Sequence, residues 1–168
     1  FTCNALYYNI ADFSIWDYTD GVRDVERRHL VLIGDPDKRL REDPVRMLRA
    51  VRFAAKLNFT IDDAVAKAIE QDRSLLANVP AARLFDEFLK LFEAGFAEKT
   101  FDLLREYKLF AELFPATDQE LNADPSFLEF VRAALRNTDR RVKAGKSVTP
   151  MFLIGVFFWA PTKKLAAI

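Results

Sequence analysis

The residues best suited to chemistry lie in one short segment, residues 41–53. Glu42 and Asp43 precede a proline, and arginines recur three residues apart at positions 46, 49 and 52. A carboxylate accepts hydrogen bonds and a guanidinium group donates them, so Asp43 and Arg46 on one helix would face a nucleobase edge as acceptor and donor. Arg49 and Arg52 would then meet phosphates. The same pattern also suits a capped amphipathic helix whose arginines are solvated.

A helix over residues 44–57 is predicted to hold these groups in place. Asp43 suits the N-cap, and Pro44 suits the first helical position, where its missing N–H costs nothing. At about 100° per residue the later positions separate into two sides. The apolar side holds Met47, Leu48, Val51, Ala54 and Ala55. The basic stripe holds Arg46, Arg49, Arg52 and Lys56, and Phe53 falls close to it.

Three polar groups precede this helix. Asn4, on a predicted strand, could bind a sugar hydroxyl, although a strand asparagine is more often a turn or ladder partner. Asp17 begins the run Asp-Tyr-Thr-Asp-Gly-Val-Arg-Asp, whose acids could shape a site or bind a metal, or form an ordinary turn with an N-cap. Asp35 and Asp37 have the spacing of a Mg²⁺ pair, but they lie in a Gly/Pro turn, where aspartate is expected anyway.

One further charged group follows at Arg83, Glu87 and Lys90. Their spacing of i, i+4 and i+7 places them on one helix face, which suits a structural network or a contact with another helix. His29 is the only histidine, which excludes His-based triads and His clusters. No Gly-rich phosphate loop is present.

Composition sets broad limits. The chain has 168 residues, 16 of them Phe, and this is enough to bury a core. Lys plus Arg and Asp plus Glu both number 25, which argues against nucleic-acid binding through bulk charge alone. Cys3 is the only cysteine, so an internal disulfide is excluded and a reducing cytoplasm is predicted. The apolar run 150–161 is too short to span a bilayer and is predicted to be a buried helix.

The pattern along the chain predicts an α+β fold. Residues 1–33 are strand-rich, with candidate strands at the N-terminus and near 5–9, 14–18 and 29–33. From residue 43 onward helices are predicted, near 44–57, 61–71, 79–95, 101–107, 109–114, 127–135 and 150–160. The chain begins without Met, and no helix stop signal follows residue 163, so we expect a fragment of a longer protein.

Four segments, in this order, together resemble the class II nucleotidyltransferases, which comprise the bacterial poly(A) polymerases and the CCA-adding tRNA enzymes. Residues 1–5 resemble the end of the family's Arg-Arg-Asp-Phe-Thr-x-Asn-Ala motif, and residues 17–24 its acidic turn after the head sheet. Residues 42–53 resemble its nucleotide-selecting helix, and residues 82–91 its neck motif. Residues 4–8, 42–46, 106–110 and 157–161 are more similar to the poly(A) polymerases. CCA-adding enzymes usually carry Asp-Pro-Phe-Gly-Gly where this chain has Asp-Tyr-Thr-Asp-Gly at 17–21.

The resemblance implies a template-independent enzyme that adds AMP from ATP to RNA 3′ ends during RNA processing. Its partners would be ATP and the RNA 3′ end, with no membrane. Asp43 and Arg46 would select ATP, and Glu42 would orient Arg46 or its neighbours. Arg49 and Arg52 would hold the site together or meet phosphate.

The resemblance also assigns roles outside the helix. Asn4 would lie near the ribose, and Arg83, Glu87 and Lys90 would form a structural or RNA-side network. The family's two Mg²⁺-binding carboxylates lie in a Gly-Ser-x-x-x-Asp-x-Asp segment that would precede this chain. No metal site is therefore expected here, and the chain alone should not catalyse transfer. A third carboxylate could still lie within it.

Asp12 is the first candidate for that third carboxylate and Asp17 is the alternative. At Asp12 a hairpin turn is the competing interpretation. In domain terms, residues 1–40 would end the β-rich head as a remnant of its sheet, 41–115 would form the helical neck, and 116–168 would begin a helical body. Two other functions stay open: a CCA-adding enzyme, and a non-catalytic helical module that binds RNA or protein. A helical scaffold with solvated charges would bind neither ATP nor RNA.

Overall fold

The computed structural model describes residues 1–166, and the chain forms two compact units, Phe1–Leu75 and Leu76–Ile168. Ala167 and Ile168, the end of the segment predicted to lack a helix stop, lie outside the described residues. The predicted division into head, neck and body stays a prediction.

The first unit contains, in chain order, a 3₁₀ turn (Thr2–Asn4), β1 (Leu6–Asn9), β2 (Ser14–Asp17), α1 (Gly21–Arg27), β3 (His29–Leu30), α2 (Pro36–Glu42), α3 (Val45–Leu57), β4 (Thr60–Ile61) and α4 (Asp63–Asp72).

Two small sheets belong to the first unit. β1 and β2 form an antiparallel hairpin in which Leu6 faces Asp17 and Asn9 faces Ser14. β3 and β4 pair in parallel through two residues each. Parallel strands need a crossover connection, and here α2 and α3 supply it. The predicted α+β class is confirmed.

Residues 1–33 contain less strand than predicted. The first residues form the 3₁₀ turn and not a strand, so the placement of Asn4 on a strand was wrong. Residues 21–27 form α1, a helix that the pattern did not predict. The Asp35-Pro36-Asp37 segment is the start of α2, because the Asp35 carboxylate accepts a hydrogen bond from the Asp37 N–H at 3.1 Å and caps this helix.

Helix α3 has the predicted register, but it begins one residue later than predicted, and its N-cap is Pro44 and not Asp43. Its buried residues are Val45, Met47, Leu48, Ala50, Val51, Ala54 and Ala55. This apolar side packs against α2, β3 and β4, while the predicted basic stripe stays partly or fully exposed. The helix ends where Asn58 takes the left-handed conformation, with φ of 56°.

The second unit is helical, as predicted. A 3₁₀ segment (Arg73–Asn78) leads into it, followed by α5 (Ala81–Phe92), α6 (Ala97–Glu106), α7 (Leu109–Leu113), α8 (Pro115–Ala123), α9 (Pro125–Lys143) and α10 (Pro150–Ala166). Phe157 of α10 is fully buried. The ring centroids of Phe88, Phe92, Phe101, Phe110 and Phe114 lie 6.0, 5.2, 6.3, 5.4 and 5.4 Å from its own.

Helix α10 is buried on one side only, which corrects the prediction of a buried helix. Leu153, Val156 and Phe157 face the core, whereas Met151 and Trp159 are 71% and 61% exposed. Among residues 1–166, no helix has the length and apolar character needed to cross a membrane.

Phe157→Ala is expected to lower the free energy of unfolding of the second unit by about 3–5 kcal/mol, because it leaves a cavity among five rings. Phe158→Ala removes the same atoms from a ring that is 42% exposed, so we expect at most about half that loss. Urea unfolding followed by circular dichroism measures both. Equal losses for the two variants would show that Phe157 is not the centre of this core.

Candidate nucleotide-binding site

A cavity of about 200 Å³ lies beside α3 in the first unit. The 3₁₀ turn, the segment after β3, and helices α2 and α3 all contribute to its walls. Its lining residues are Phe1, Asn4, Leu32, Ile33, Arg39, Arg46, Arg49, Arg52 and Phe53. The fold therefore brings Asn4 to the same cavity as the three arginines of the predicted stripe.

Arg46 is oriented by three neighbouring groups. Its Nη1 donates to the carbonyl oxygen of Arg39 at 2.7 Å and lies 3.5 Å from Oε2 of Glu42. Its Nε lies 4.0 Å from Oδ2 of Asp43. Its side chain is 23% exposed, so the guanidinium is oriented by the protein while part of it still faces the cavity.

Glu42 serves two arginines at once. Its Oε2 accepts from Arg39 Nη1 at 3.0 Å and also pairs with Arg46. Arg39 Nε is buried and has no hydrogen-bond partner among residues 1–166. Four arginines line the cavity, and Glu42 and Asp43, which lie beside Arg46, are not among its lining residues. Such a site favours an anionic ligand.

The other side of the cavity combines charge with aromatic surface. The guanidinium carbon of Arg52 lies 5.0 Å from the centre of the Phe53 ring. Phe53 in turn meets Phe1 edge to face at 5.5 Å. Aromatic faces can pack against a nucleobase, and Arg49 and Arg52 supply cations beside them.

The two candidate carboxylates are engaged in turns. Asp12 Oδ1 accepts from the Ser14 N–H at 3.0 Å and from the Ser14 hydroxyl at 2.6 Å, and the hydroxyl contact is the main reason that its pKa is lowered. The Asp17 carboxylate accepts from the N–H groups of Thr19, Gly21 and Val22 at 3.0, 3.0 and 2.8 Å. These bonds fit the turn interpretation of both residues, and the catalytic role stays a prediction.

The carboxylates of this chain do not assemble a Mg²⁺ site in the part that the structure describes. Magnesium prefers several oxygen ligands around one point. Within residues 1–166 no three His, Cys, Asp or Glu side chains come together in that way. The carboxylates beside the cavity arginines have other partners: Glu42 pairs with Arg39 and Arg46, and Asp43 Oδ2 lies 4.0 Å from Arg46 Nε.

The charged ladder of α5 belongs to the second unit. Lys90 Nζ lies 3.0 Å from Oε1 of Glu87, whose side chain is only 3% exposed. Arg83 is exposed at the start of the same helix. The Glu87–Lys90 pair fits the structural alternative for this group, and its contribution to an RNA surface stays a prediction.

Arg39 is the charged cavity residue that sequence reasoning missed, along with the apolar lining residues Phe1, Leu32 and Ile33. It lies on α2, where the Gly/Pro pattern predicted a turn. The sequence did contain a signal for the start of α2, because Asp35 followed by Pro36 is the pair expected at an N-cap and the first helical position. The short helix places Arg39 and Glu42 one turn apart, on the side that faces α3.

Residues 58–121 match the family model described as the probable RNA and SrmB-binding site of polymerase A. The chain is 46% identical over 168 residues to Poly(A) polymerase I of Salmonella typhi, with 99% of this chain and 36% of that relative covered. This chain belongs to the bacterial poly(A) polymerase family. It spans about a third of the length of the curated relatives it matches, and the family predicted from its four motifs is confirmed.

Solved structures agree with this family fold. A tRNA nucleotidyltransferase complexed with a primer tRNA and an incoming ATP analogue superimposes with a TM-score of 0.75 at 24% identity, covering 94% of this chain and 47% of that one. The CCA-adding enzyme of Bacillus stearothermophilus in complex with CTP gives a TM-score of 0.63 at 32% identity, covering 83% of this chain and 32% of that one.

The pKa of Asp17 is expected to lie below its ordinary value, because backbone N–H groups, that of Val22 above all, stabilise its charged form. Its stabilising effect is then complete above the unfolded-state pKa of about 3.9 and disappears as the pH falls through the lower folded value. NMR titration of the Asp17 carboxyl carbon measures that midpoint.

Asp17→Asn is the matched control, since an amide does not titrate. The difference in stability between the wild type and this variant should shrink as the pH falls through the Asp17 midpoint. A midpoint at or above the ordinary value would show that the three hydrogen bonds do not form in solution.

Proposed function

We propose that this chain is the base-selecting and RNA-binding part of a template-independent nucleotidyltransferase that adds AMP from ATP to RNA 3′ ends. One observation carries the proposal: α3 directs Arg46, Arg49 and Arg52 into a single cavity, where Arg46 is fixed by the Arg39 carbonyl and by Glu42. A fixed guanidinium can read a base edge without a nucleic-acid template, because the protein supplies the geometry that a paired strand would otherwise give.

We assign each of these residues a task from its chemistry. Adenine presents an exocyclic amine beside a ring nitrogen acceptor. The Asp43 carboxylate can accept from the amine, and Arg46 can donate to the ring nitrogen. Arg39, Arg49 and Arg52 provide positive charge for the triphosphate, and Asn4 lies at the same cavity for a ribose hydroxyl.

Mg²⁺ would neutralise phosphate charge and activate the attacking hydroxyl during transfer. We place its ligands outside this chain, since residues 1–166 bring no carboxylate cluster together. The chain's own residues then bind and orient the nucleotide and hold the RNA. Residues 58–121, which match the RNA-binding family model, support the second of these tasks. The cytoplasmic location predicted from the single cysteine remains part of this proposal.

A CCA-adding enzyme is the second candidate function, because cytosine and adenine present similar hydrogen-bonding groups. Cytosine also presents an amine beside a ring acceptor, so an Asp–Arg pair alone does not separate CTP from ATP. The Bacillus stearothermophilus CCA-adding enzyme, whose structure was solved with CTP, is 32% identical to this chain. Against it stands the 46% identity with a poly(A) polymerase along the whole chain. A non-catalytic RNA-binding module would bind RNA with no effect of ATP.

Calorimetric titration with ATP and with CTP, each with Mg²⁺, tests base selection directly. We expect this chain to prefer ATP, and Arg46→Ala to weaken ATP binding about 10–100-fold, because a hydrogen bond from a charged donor is lost. Arg27→Ala is the control, since Arg27 is an exposed arginine of α1 outside the cavity. Equal affinity for the two nucleotides would favour the CCA-adding enzyme. Absence of nucleotide binding would contradict the proposed role of the cavity.

Arg39→Gln should separate phosphate binding from base reading. The change removes one cation from the cavity, so we expect about a tenfold loss of affinity for ATP and no change for adenosine. Arg39→Lys keeps the charge and should recover part of the loss. Equal losses for ATP and adenosine would mean that Arg39 acts through the position of Arg46 and not on phosphate.

A further inference from the structure

The basic residues of helix α9 form ion pairs in its first part but, within residues 1–166, not at its end. In its first four turns the cations are paired: Arg132 Nη2 lies 2.7 Å from Asp102 Oδ1, and Arg136 pairs with Glu98 and Glu129. From residue 140 to 146 four cations follow with no carboxylate between them: Arg140, Arg141, Lys143 and Lys146. All four are exposed, and none forms an ion pair within residues 1–166.

The end of α9 holds these cations in a defined arrangement, which we name the basic cap (residues 140–146). Gly145 has φ of +70° and donates its N–H to the Val142 carbonyl at 2.9 Å. Lys146 donates its N–H to the Arg141 carbonyl, also at 2.9 Å. This pair of bonds is a Schellman motif, which turns the chain back and keeps Lys146 beside the last helical turn.

The basic cap is attached to the start of α6. Asp139, just before it, accepts from the N–H groups of Ala97 and Glu98 at 2.6 and 3.1 Å, and so caps α6 from another helix. Lys143 Nζ lies 5.6 Å from the centre of the Phe96 ring. Residues 96–98 all belong to the segment that matches the RNA-binding family model.

A helix C-terminus attracts cations in any protein, because its carbonyl groups carry partial negative charge. That effect accounts for basic residues in the last turn of α9. It does not account for Lys146, which follows the turn, or for the absence of any acid from 140 to 146. The only neighbouring carboxylate in the helix, Asp139, is already committed to the backbone of α6.

We propose that the basic cap is a second RNA contact, which binds the phosphodiester backbone of the RNA and lies outside the matched segment 58–121. A polyanion is the ligand that suits four exposed cations that form no ion pair within residues 1–166. RNA is the polyanion that fits, because the cap is fastened to residues of the RNA-binding segment. Contacts of this kind do not read bases, so binding here is independent of sequence. The inference rests on the proposed RNA binding but not on the nucleotide cavity.

The test measures binding of a fluorescein-labelled 20-nucleotide oligo(A) by anisotropy between 50 and 200 mM salt. The variant R140Q/K143Q/K146Q removes three cations and keeps Arg141, which donates to the Ser147 carbonyl. We expect at least about a tenfold weaker affinity at 50 mM salt. The slope of log affinity against log salt should fall in magnitude by about two, because each lost single-strand phosphate contact contributes about 0.7.

R23Q/R27Q/R28Q is the matched control, because it makes the same change in net charge on exposed residues of the first unit. It should alter the affinity less than twofold and leave the slope unchanged. Equal losses for the two triple variants would overturn the proposal, as would an unchanged slope in R140Q/K143Q/K146Q. Far-UV circular dichroism establishes that both variants are folded.

Two more measurements separate this inference from the proposed function. ATP binding should be unchanged in R140Q/K143Q/K146Q; a parallel loss of ATP and RNA binding would overturn a separate RNA contact.

G145A keeps every charge, and its new Cβ would meet no atom within 4 Å, but it strains the left-handed turn. We expect weaker RNA binding by G145A, and wild-type affinity would overturn the role given to the cap's geometry. If the wild type binds no RNA, the proposed RNA binding and this inference both fail.

Discussion

Pro44 separates two helices, and the position of Arg46 depends on this break. A residue before proline is driven toward extended backbone, and Asp43 has φ of −149° and ψ of 90°. Helix α2 therefore ends at Glu42 and α3 starts in a new direction. In one continuous straight helix residues 39 and 46 would lie about 10.5 Å apart along the axis. The corner instead allows Arg46 Nη1 to reach the Arg39 carbonyl at 2.7 Å.

The same corner explains the charge balance of the cavity. Glu42, the last residue of α2, lies between Arg39 and Arg46, and Asp43 places a second carboxylate 4.0 Å from Arg46. Four guanidinium groups near one cavity repel each other, and partial exposure reduces that repulsion through solvent screening. An anionic ligand would complete the balance. The hydrogen bond that orients Arg46 is thus made by the protein, and in the proposed function the positive charge of the cavity would face phosphate.

Local patterns predicted what local forces determine. The two sides of α3 follow from 3.6 residues per turn, and the place of Phe53 beside the arginines followed from the same geometry. Helix α1 was not predicted because its start depends on Asp17, which lies four residues before Gly21. The Asp17 carboxylate accepts hydrogen bonds from the N–H groups of the preceding turn and of the first helical turn. The bond from Arg46 to the Arg39 carbonyl spans a helix break, and no residue type at either position signals a backbone acceptor.

Acidic and basic residues are equal in number, but they have different roles in the fold. Within residues 1–166, several aspartates accept hydrogen bonds from backbone N–H groups at turns and helix starts: Asp12, Asp17, Asp35, Asp62, Asp124 and Asp139. Arginine and lysine have no acceptor and cannot do this. These carboxylates are therefore engaged by backbone groups, a task that no arginine or lysine shares. A chain of zero net charge can in this way present a basic cavity and a basic helix end, because its negative charge is spread over the places where helices and turns begin.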